Sequence, residues 1–141
     1  MWNVYVCVGR AFIPDVAKTE AGFFLDVEPV RTVELGDLPA LAAALDQAMA
    51  NGNPLVQTPA RSSFPKPVVL KLAGVKNWNT FMKRARCFTI LRGESEIEIA
   101  EAGRDEKGAW IESPSLHQGF SLRTSSLELA RHIVERARQR F

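Results

Sequence analysis

The chain has 141 residues and a mass of 15.7 kDa, which predicts one domain over residues 1–141 with about two-thirds of its unfolded surface buried. Its 46% hydrophobic and 24% charged residues exclude a disordered chain, and no apolar run reaches the roughly 18–20 residues of a membrane span. The formal net charge is only +2, but the charges are unevenly distributed along the chain.

The first third of the chain predicts two strand regions separated by a loop. Residues 2–9 are aromatic and β-branched, as is typical of a strand, and residues 10–21 contain Pro14 and charged side chains, which favours a loop. A second strand is predicted at residues 22–28 and is interrupted by Pro29, which follows it. The chain then continues in an extended state over residues 30–35.

A helix and a long loop follow. Asp37 is a good N-cap and Pro39 suits a first helical turn, so the Ala- and Leu-rich residues 40–50 predict a helix that ends at Asn51-Gly52. Residues 53–67 contain four prolines and predict a loop that is long for a domain of this size. A loop of this length is typical of a functional or mobile segment.

The second half predicts a short helix, an antiparallel meander and a final helix. Residues 68–72 fit either a strand or a helix start, and Asn77 is the predicted N-cap of a helix that continues through Ala85. Strands of the meander are predicted at residues 87–92, 94–101, 109–112 and 118–123. Ser125 begins a capping box, and the final helix that follows carries an apolar stripe of Leu127, Ala130, Val134, Ala137 and Phe141.

This element order predicts an α+β fold. Runs of strands, rather than strict alternation of strands and helices, favour a mainly antiparallel sheet made of the N-terminal strands and the C-terminal meander. We expect about three helices to pack on one face of this sheet.

The sequence contains no recognisable catalytic signature, so we predict that the protein is not an enzyme. Cys7 and Cys87 lie in apolar, strand-like runs, which indicates two buried thiols in a reducing cytosol rather than a metal site. His117 has no nucleophile or acid at a spacing that identifies a triad, and His132 follows Glu128 by one helical turn, as in a surface helix pair. We therefore predict no cofactor and no metal.

Charge segregation is the most informative feature of the composition. Residues 47–93 hold eight basic residues and no acid, whereas residues 94–112 hold seven acids and two bases. Alternation of Glu96 and Glu98 with Ile97 and Ile99 predicts a strand whose glutamates face outward. The predicted partner-binding residues, which suit a basic protein, are Glu94, Glu96, Glu98, Glu101, Asp105 and Glu106.

Two other interpretations of these charges stay open. Neighbouring elements could pair the opposite charges within the fold. The basic segment over residues 61–92 is also compatible with nucleic-acid binding, with Trp78 stacking on a base, although Trp78 has the spacing of a core-facing helix position. The residues of this alternative patch are Lys71, Lys76, Lys83, Arg84 and Arg86.

One segment resembles a known class of proteins. Phe64-Pro65-Lys66-Pro67, Leu70, Ala73-Gly74-Val75-Lys76-Asn77-Trp78 and Phe81 are similar to a pattern in small single-domain bacterial proteins, among them immunity proteins of contact-dependent growth inhibition toxins. The resemblance covers about 20 residues and implies a cytoplasmic protein, monomeric before binding, that neutralises one cognate toxin domain without catalysis. An acidic face fits a toxin with a basic cleft, such as a nuclease. The alternatives are a nucleic-acid-binding module and a small enzyme whose site is assembled only in three dimensions.

Overall fold

A computed structural model describes residues 1–139 of the chain. Within these residues the strands are β1 Trp2–Cys7, β2 Arg10–Thr19, β3 Phe24–Glu34, β4 Leu55–Val56, β5 Arg86–Arg92, β6 Glu96–Glu101, β7 Gly103–Arg104, β8 Trp110–Ile111 and β9 His117–Ser121. The α-helices are α1 Leu38–Ala50, α2 Val69–Ala73, α3 Trp78–Arg84 and α4 Ser126–Arg138. Single turns of 3₁₀ helix lie at Arg61–Ser63 and Pro114–Leu116.

One mainly antiparallel sheet organises the fold. Its strand order is β3-β2-β1-β5-β6-β9, and the short β4 adds to β2 in parallel. Because β1 pairs with β5 over five residue pairs, the N-terminal strands and the C-terminal strands form one continuous sheet. The predicted α+β class is thereby confirmed.

Alternation along β1 sends side chains into two different cores. Val4 and Val6 pack on the first face of the sheet with apolar residues of α1 and α4. Tyr5 and Cys7 pack on the second face with residues of α2 and α3. The expectation that about three helices cover a single face is therefore wrong in its arrangement, since four helices pack in two pairs on opposite faces.

The region predicted as a loop at residues 10–21 is the ten-residue strand β2. Its apolar side chains are buried, and Pro14 is tolerated because a bulge interrupts the ladder there: Pro14 lies opposite Val30, and the next pair is Asp15 with Val27. The two intervening residues of β3, at positions 28–29, form the bulge, so β3 continues through Pro29 as one strand.

The predicted helix starts are confirmed by their caps. The side chains of Asp37, Asn77 and Ser125 each accept a hydrogen bond from the backbone N–H three residues later. The ambiguous residues 68–72 belong mainly to α2. These caps fix where α1, α3 and α4 begin.

Two details of the C-terminal half differ from the prediction. Strands β7 and β8 form a separate hairpin, so β6 pairs directly with β9 rather than continuing a four-stranded meander. In α4 the buried residues are Leu129, Ala130, Ile133 and Val134. Leu127 is 40% exposed and lies outside the stripe, and the predicted stripe position Phe141 lies outside the described residues.

The hairpin between β1 and β2 contains a strained residue that offers a stability test. Val8 and Gly9 form a two-residue turn with φ angles of 50° and 74°, and Val8 is 84% exposed. A β-branched side chain is disfavoured at positive φ, whereas asparagine is common there. We expect Val8→Asn to raise the free energy of unfolding by about 1 kcal/mol in urea titrations. The control Val8→Thr keeps the β-branch and is expected to match the parent, and equal stability of all three proteins would contradict this account.

Candidate functional site

At the β5-β6-β9 end of the sheet, the side chains of the second face are half-buried or exposed. Glu96, Glu98 and Ala100 project from β6 on the side opposite to Ile97 and Ile99, which are buried on the first face. Strand register places residues of both neighbouring strands on this same side: Thr89 and Leu91 of β5, and His117, Gly119 and Ser121 of β9. The outward orientation predicted for Glu96 and Glu98 is confirmed.

The two glutamates are held against β9 in different ways. A Cβ atom at Gly119 would lie 2.8 Å from Glu96 Oε2, so glycine at this position leaves room for the Glu96 carboxylate over the neighbouring strand. Glu98 Oε1 lies 2.7 Å from Nδ1 of His117, and both side chains are partly buried. The sheet therefore presents these carboxylates from a rigid support rather than from a loop.

An apolar depression adjoins Glu98, since its neighbours Leu91 and His117 both line the depression. It has a volume of about 360 Å³, and its lining includes Leu91, Ala100, Trp110 and Ile111, with Glu112 and His117 also on its border. Leu91 is 39% exposed and Ile111 is 46% exposed. An apolar centre bordered by charged groups is the arrangement found in many protein–protein interfaces. We call the surface formed by Leu91, Ile111, Glu96 and Glu98 the open face.

The other exposed carboxylates of the predicted partner-binding set do not extend the open face as one row. Glu94 lies in the turn between β5 and β6, beyond one end of β6. Asp105 and Glu106 lie in the turn of the β7-β8 hairpin, which follows the other end of β6. One oxygen of Asp105 accepts from the backbone N–H groups of Lys107 and Ala109, so this side chain also shapes its turn. The three are exposed, and their part in binding stays a prediction.

Glu101, the other predicted partner-binding residue, is only 2% exposed and faces the opposite side of the sheet. Its Oε1 accepts from Arg86 Nε at 3.0 Å, and its Oε2 accepts from Arg136 Nε at 3.0 Å. The odd positions of β6 point toward α4, which is why Glu101 meets these guanidinium groups. Its inclusion in the partner-binding set is wrong, because it links β5, β6 and α4 inside the protein.

The alternative basic patch also loses one member. Lys71, Lys76, Lys83 and Arg84 are exposed on α2, α3 and the turn between these helices. Arg86 instead binds Glu101 on the first face. The Trp78 ring packs edge-on against Tyr5 and Trp110, with ring centroids 5.9 Å and 5.4 Å apart, so it belongs to an aromatic cluster rather than forming an isolated stacking platform.

Both cysteines are free and lie in strands, as predicted. Cys7 is buried in β1, and burial raises the pKa of Cys87 in β5 to about 12, with the nearby Asp26 carboxylate adding to the rise. Such a thiol stays protonated at neutral pH and is a poor nucleophile. His132, predicted to form a surface pair with Glu128, instead packs its ring edge-on against Phe120 with centroids 5.2 Å apart.

A polar cluster that the sequence analysis missed lies on the second face near β1 and β3. Asp26 accepts a hydrogen bond from Asn3 Nδ2 at 2.7 Å and another from the Tyr5 hydroxyl. Burial raises the pKa of the Asp26 carboxyl, and these hydrogen bonds oppose the rise. A carboxylate within the apolar run Phe23-Phe24-Leu25-Asp26-Val27 was the available sequence signal.

Residues 1–139 contain neither a cluster of metal ligands nor a membrane-spanning helix. No group of three or more His, Cys, Asp or Glu side chains in this part of the chain is arranged to hold a metal ion. None of its helices has both the length and the apolar character needed to cross a membrane.

Comparison with known proteins supports the fold alone. No family model matches the sequence, and no curated protein sequence matches it. A structure of a protein of unknown function from Neisseria meningitidis is similar, with a TM-score of 0.70 and 14% sequence identity. The similarity covers 99% of this chain and 94% of that one, so the two proteins share an architecture over nearly their full lengths.

Proposed function

We propose that this protein is an immunity protein that binds a cognate toxin domain in the cytosol and neutralises it without catalysis. The observation that carries this proposal is the open face. There the exposed side chain of Leu91 lies opposite the sheet-mounted Glu98, Ile111 lines the same depression as Leu91, and Glu96 lies two residues before Glu98 on β6. Apolar residues at the centre of an interface supply affinity, and charged residues around them supply orientation and association rate.

The charge of the open face favours a basic partner. Glu96 and Glu98 lie on the face itself, and Glu94 and Glu112 are exposed nearby in the chain. A toxin domain that binds nucleic acid has a basic cleft, and carboxylates on a rigid sheet would occupy that cleft in place of phosphates. A nuclease domain is therefore the class of toxin that the surface fits best.

The resemblance to immunity proteins supports the same role. Its residues form the loop at positions 64–67 and the helices α2 and α3, which cover the other part of the second face. This segment thereby determines how much of the sheet stays uncovered.

The test uses the toxin gene that such systems carry beside the immunity gene. Cells that express the toxic domain are expected to survive with the parent protein and to die with the double variant Glu96→Lys/Glu98→Lys. Loss of two attractive contacts and gain of two repulsive ones is expected to weaken binding by about 2 kcal/mol or more, which is about 30-fold in Kd. Calorimetry at low and high salt measures this change.

A matched control reverses two charges on the other candidate surface. Lys71→Glu/Lys76→Glu changes the net charge by the same magnitude and is expected to protect cells and to bind as the parent does. The reverse result would move the interface to the basic patch. In that case Glu96→Lys/Glu98→Lys would protect cells fully, and Lys71→Glu/Lys76→Glu would not protect them. Failure of the parent protein to protect, or to bind the toxic domain, would overturn the proposed function itself.

A further inference from the structure

A pocket of about 300 Å³ opens on the second face where β2 separates from β1. Residues 5–7 of β1 pair with residues 10–12 of β2, and beyond this ladder β3 reaches over to contact β1 through Asp26. The proline-containing loop at positions 64–67 borders the opening. Five aromatic side chains contribute to the lining: Tyr5, Phe23, Phe24, Phe64 and Trp78.

A carboxylate lies among these aromatic walls. Each oxygen of the Asp26 carboxylate accepts one hydrogen bond: Oδ1 from Asn3 Nδ2 and Oδ2 from the Tyr5 hydroxyl. A carboxylate offers about four acceptor positions, so about two remain for a ligand. Asn3 is itself fixed from the other side, since its Oδ1 accepts from the Thr89 hydroxyl at 3.0 Å. The Asp26 carboxylate is thus oriented before any ligand binds.

We propose that this pocket binds a guanidinium group carried on a short alkyl chain. A planar guanidinium stacks on aromatic faces and donates two parallel hydrogen bonds to one carboxylate, which matches the aromatic walls and the open acceptor positions of Asp26. Cation–π attraction to the faces of these rings adds to the two hydrogen bonds. The alkyl chain then lies along the exposed rings of Phe23 and Phe64 at the rim, whose centroids are 6.2 Å apart.

Neighbouring cations restrict the ligand further. Lys66 lines the pocket, and Lys18 Nζ lies 5.9 Å from the centroid of the Phe24 ring. A second positive charge on the ligand would be repelled at the rim, so a singly charged guanidinium is preferred over a doubly charged one. The site stands on this geometry alone and does not depend on the proposed immunity function.

The experiment titrates the full-length protein with n-butylguanidinium and follows the indole N–H resonance of Trp78 and the heat of binding. We expect saturable binding in the millimolar range. Neutral n-butylurea, which has the same shape without the charge, is expected to bind at least tenfold more weakly, and doubly charged agmatine is also expected to bind more weakly than n-butylguanidinium.

Three variants assign the binding to this pocket. Asp26→Asn is expected to lower the affinity for n-butylguanidinium at least tenfold, and Phe64→Ala, at an exposed loop position, to lower it about threefold. The control Glu28→Gln removes an exposed carboxylate from the same strand outside the pocket and is expected to leave the affinity within twofold of the parent. If Asp26→Asn fails to fold, Phe64→Ala and the n-butylurea comparison still decide the question.

Equal binding of n-butylurea, unchanged affinity in Phe64→Ala, or absence of binding at millimolar concentrations would overturn the proposal. A blocked tripeptide, acetyl-Gly-Arg-Gly-amide, separates the two sources of the same chemistry. Binding of the peptide as tight as that of n-butylguanidinium supports an arginine side chain of a protein partner. Binding of n-butylguanidinium alone supports a free small cation.

Discussion

Val134→Asp is expected to lower the free energy of unfolding by roughly 3–5 kcal/mol, because it leaves an unpaired charge in the core. Val134 is 4% exposed and lies on α4 in the apolar cluster between that helix and the first face of the sheet. Protonation of the new carboxyl group would remove its charge but would still leave a polar group without a partner among apolar side chains. Urea unfolding followed by circular dichroism measures the loss.

Leu127→Asp is the matched control, since it places the same new side chain on the same helix at a position that is 40% exposed. We expect its stability to stay within about 0.5 kcal/mol of the parent, because exposed substitutions seldom change stability further and an acid in the first helical turn is favourable. Equal effects of the two substitutions would mean that α4 does not bury the side that carries Val134 against the sheet.

Glu101→Ala is expected to destabilise the protein by about 3 kcal/mol, because removal of one member of a buried ion pair leaves its partners without compensation. Here the partners are two arginines, Arg86 and Arg136, which approach opposite oxygens of the same carboxylate. Their side chains are 14% and 29% exposed, so water partly stabilises them after the loss, and we expect the lower end of the usual range. Chemical unfolding again provides the measurement.

Two further variants separate the effect of the Glu101 charge from the effect of its buried position. Glu101→Gln keeps the shape and one acceptor oxygen, and is expected to recover about half of the stability lost in Glu101→Ala. Glu96→Ala removes an exposed carboxylate from the same strand and is expected to change stability by less than about 0.5 kcal/mol. A Glu101→Ala protein as stable as Glu96→Ala would contradict the structural role of the three-residue network.

Local patterns in the sequence were sufficient for the helix starts and for one strand. The caps Asp37, Asn77 and Ser125 satisfy backbone donors three residues away, so their signal depends on short-range geometry alone. Alternation of Ile97 and Ile99 with glutamates likewise predicted which side chains of β6 face the core and which face solvent. The same alternation places Glu101 on the inner side with the isoleucines, and only its charge argued for solvent.

Features that depend on distant contacts were not predictable from local patterns. Pro14 favours a loop until a bulge in β3 accommodates it, and that bulge forms from residues 28–29 of another strand. The Asp26 pocket joins side chains of β1, β3 and a loop around position 65. No spacing within one segment indicates such a site, because its members meet only when the sheet has formed.

The central pairing of β1 with β5 has a consequence for how the chain folds. During synthesis, β1 to β3 leave the ribosome well before residues 86–92, so the long edge of β1 has no partner in the meantime. Trp2, Val4 and Val6 border that edge, and an unpaired apolar strand edge is a template for aggregation. Contacts at such a sequence separation also slow folding. Growth of the nascent chain past β5 is therefore the step at which we expect protection from proteases to rise most steeply.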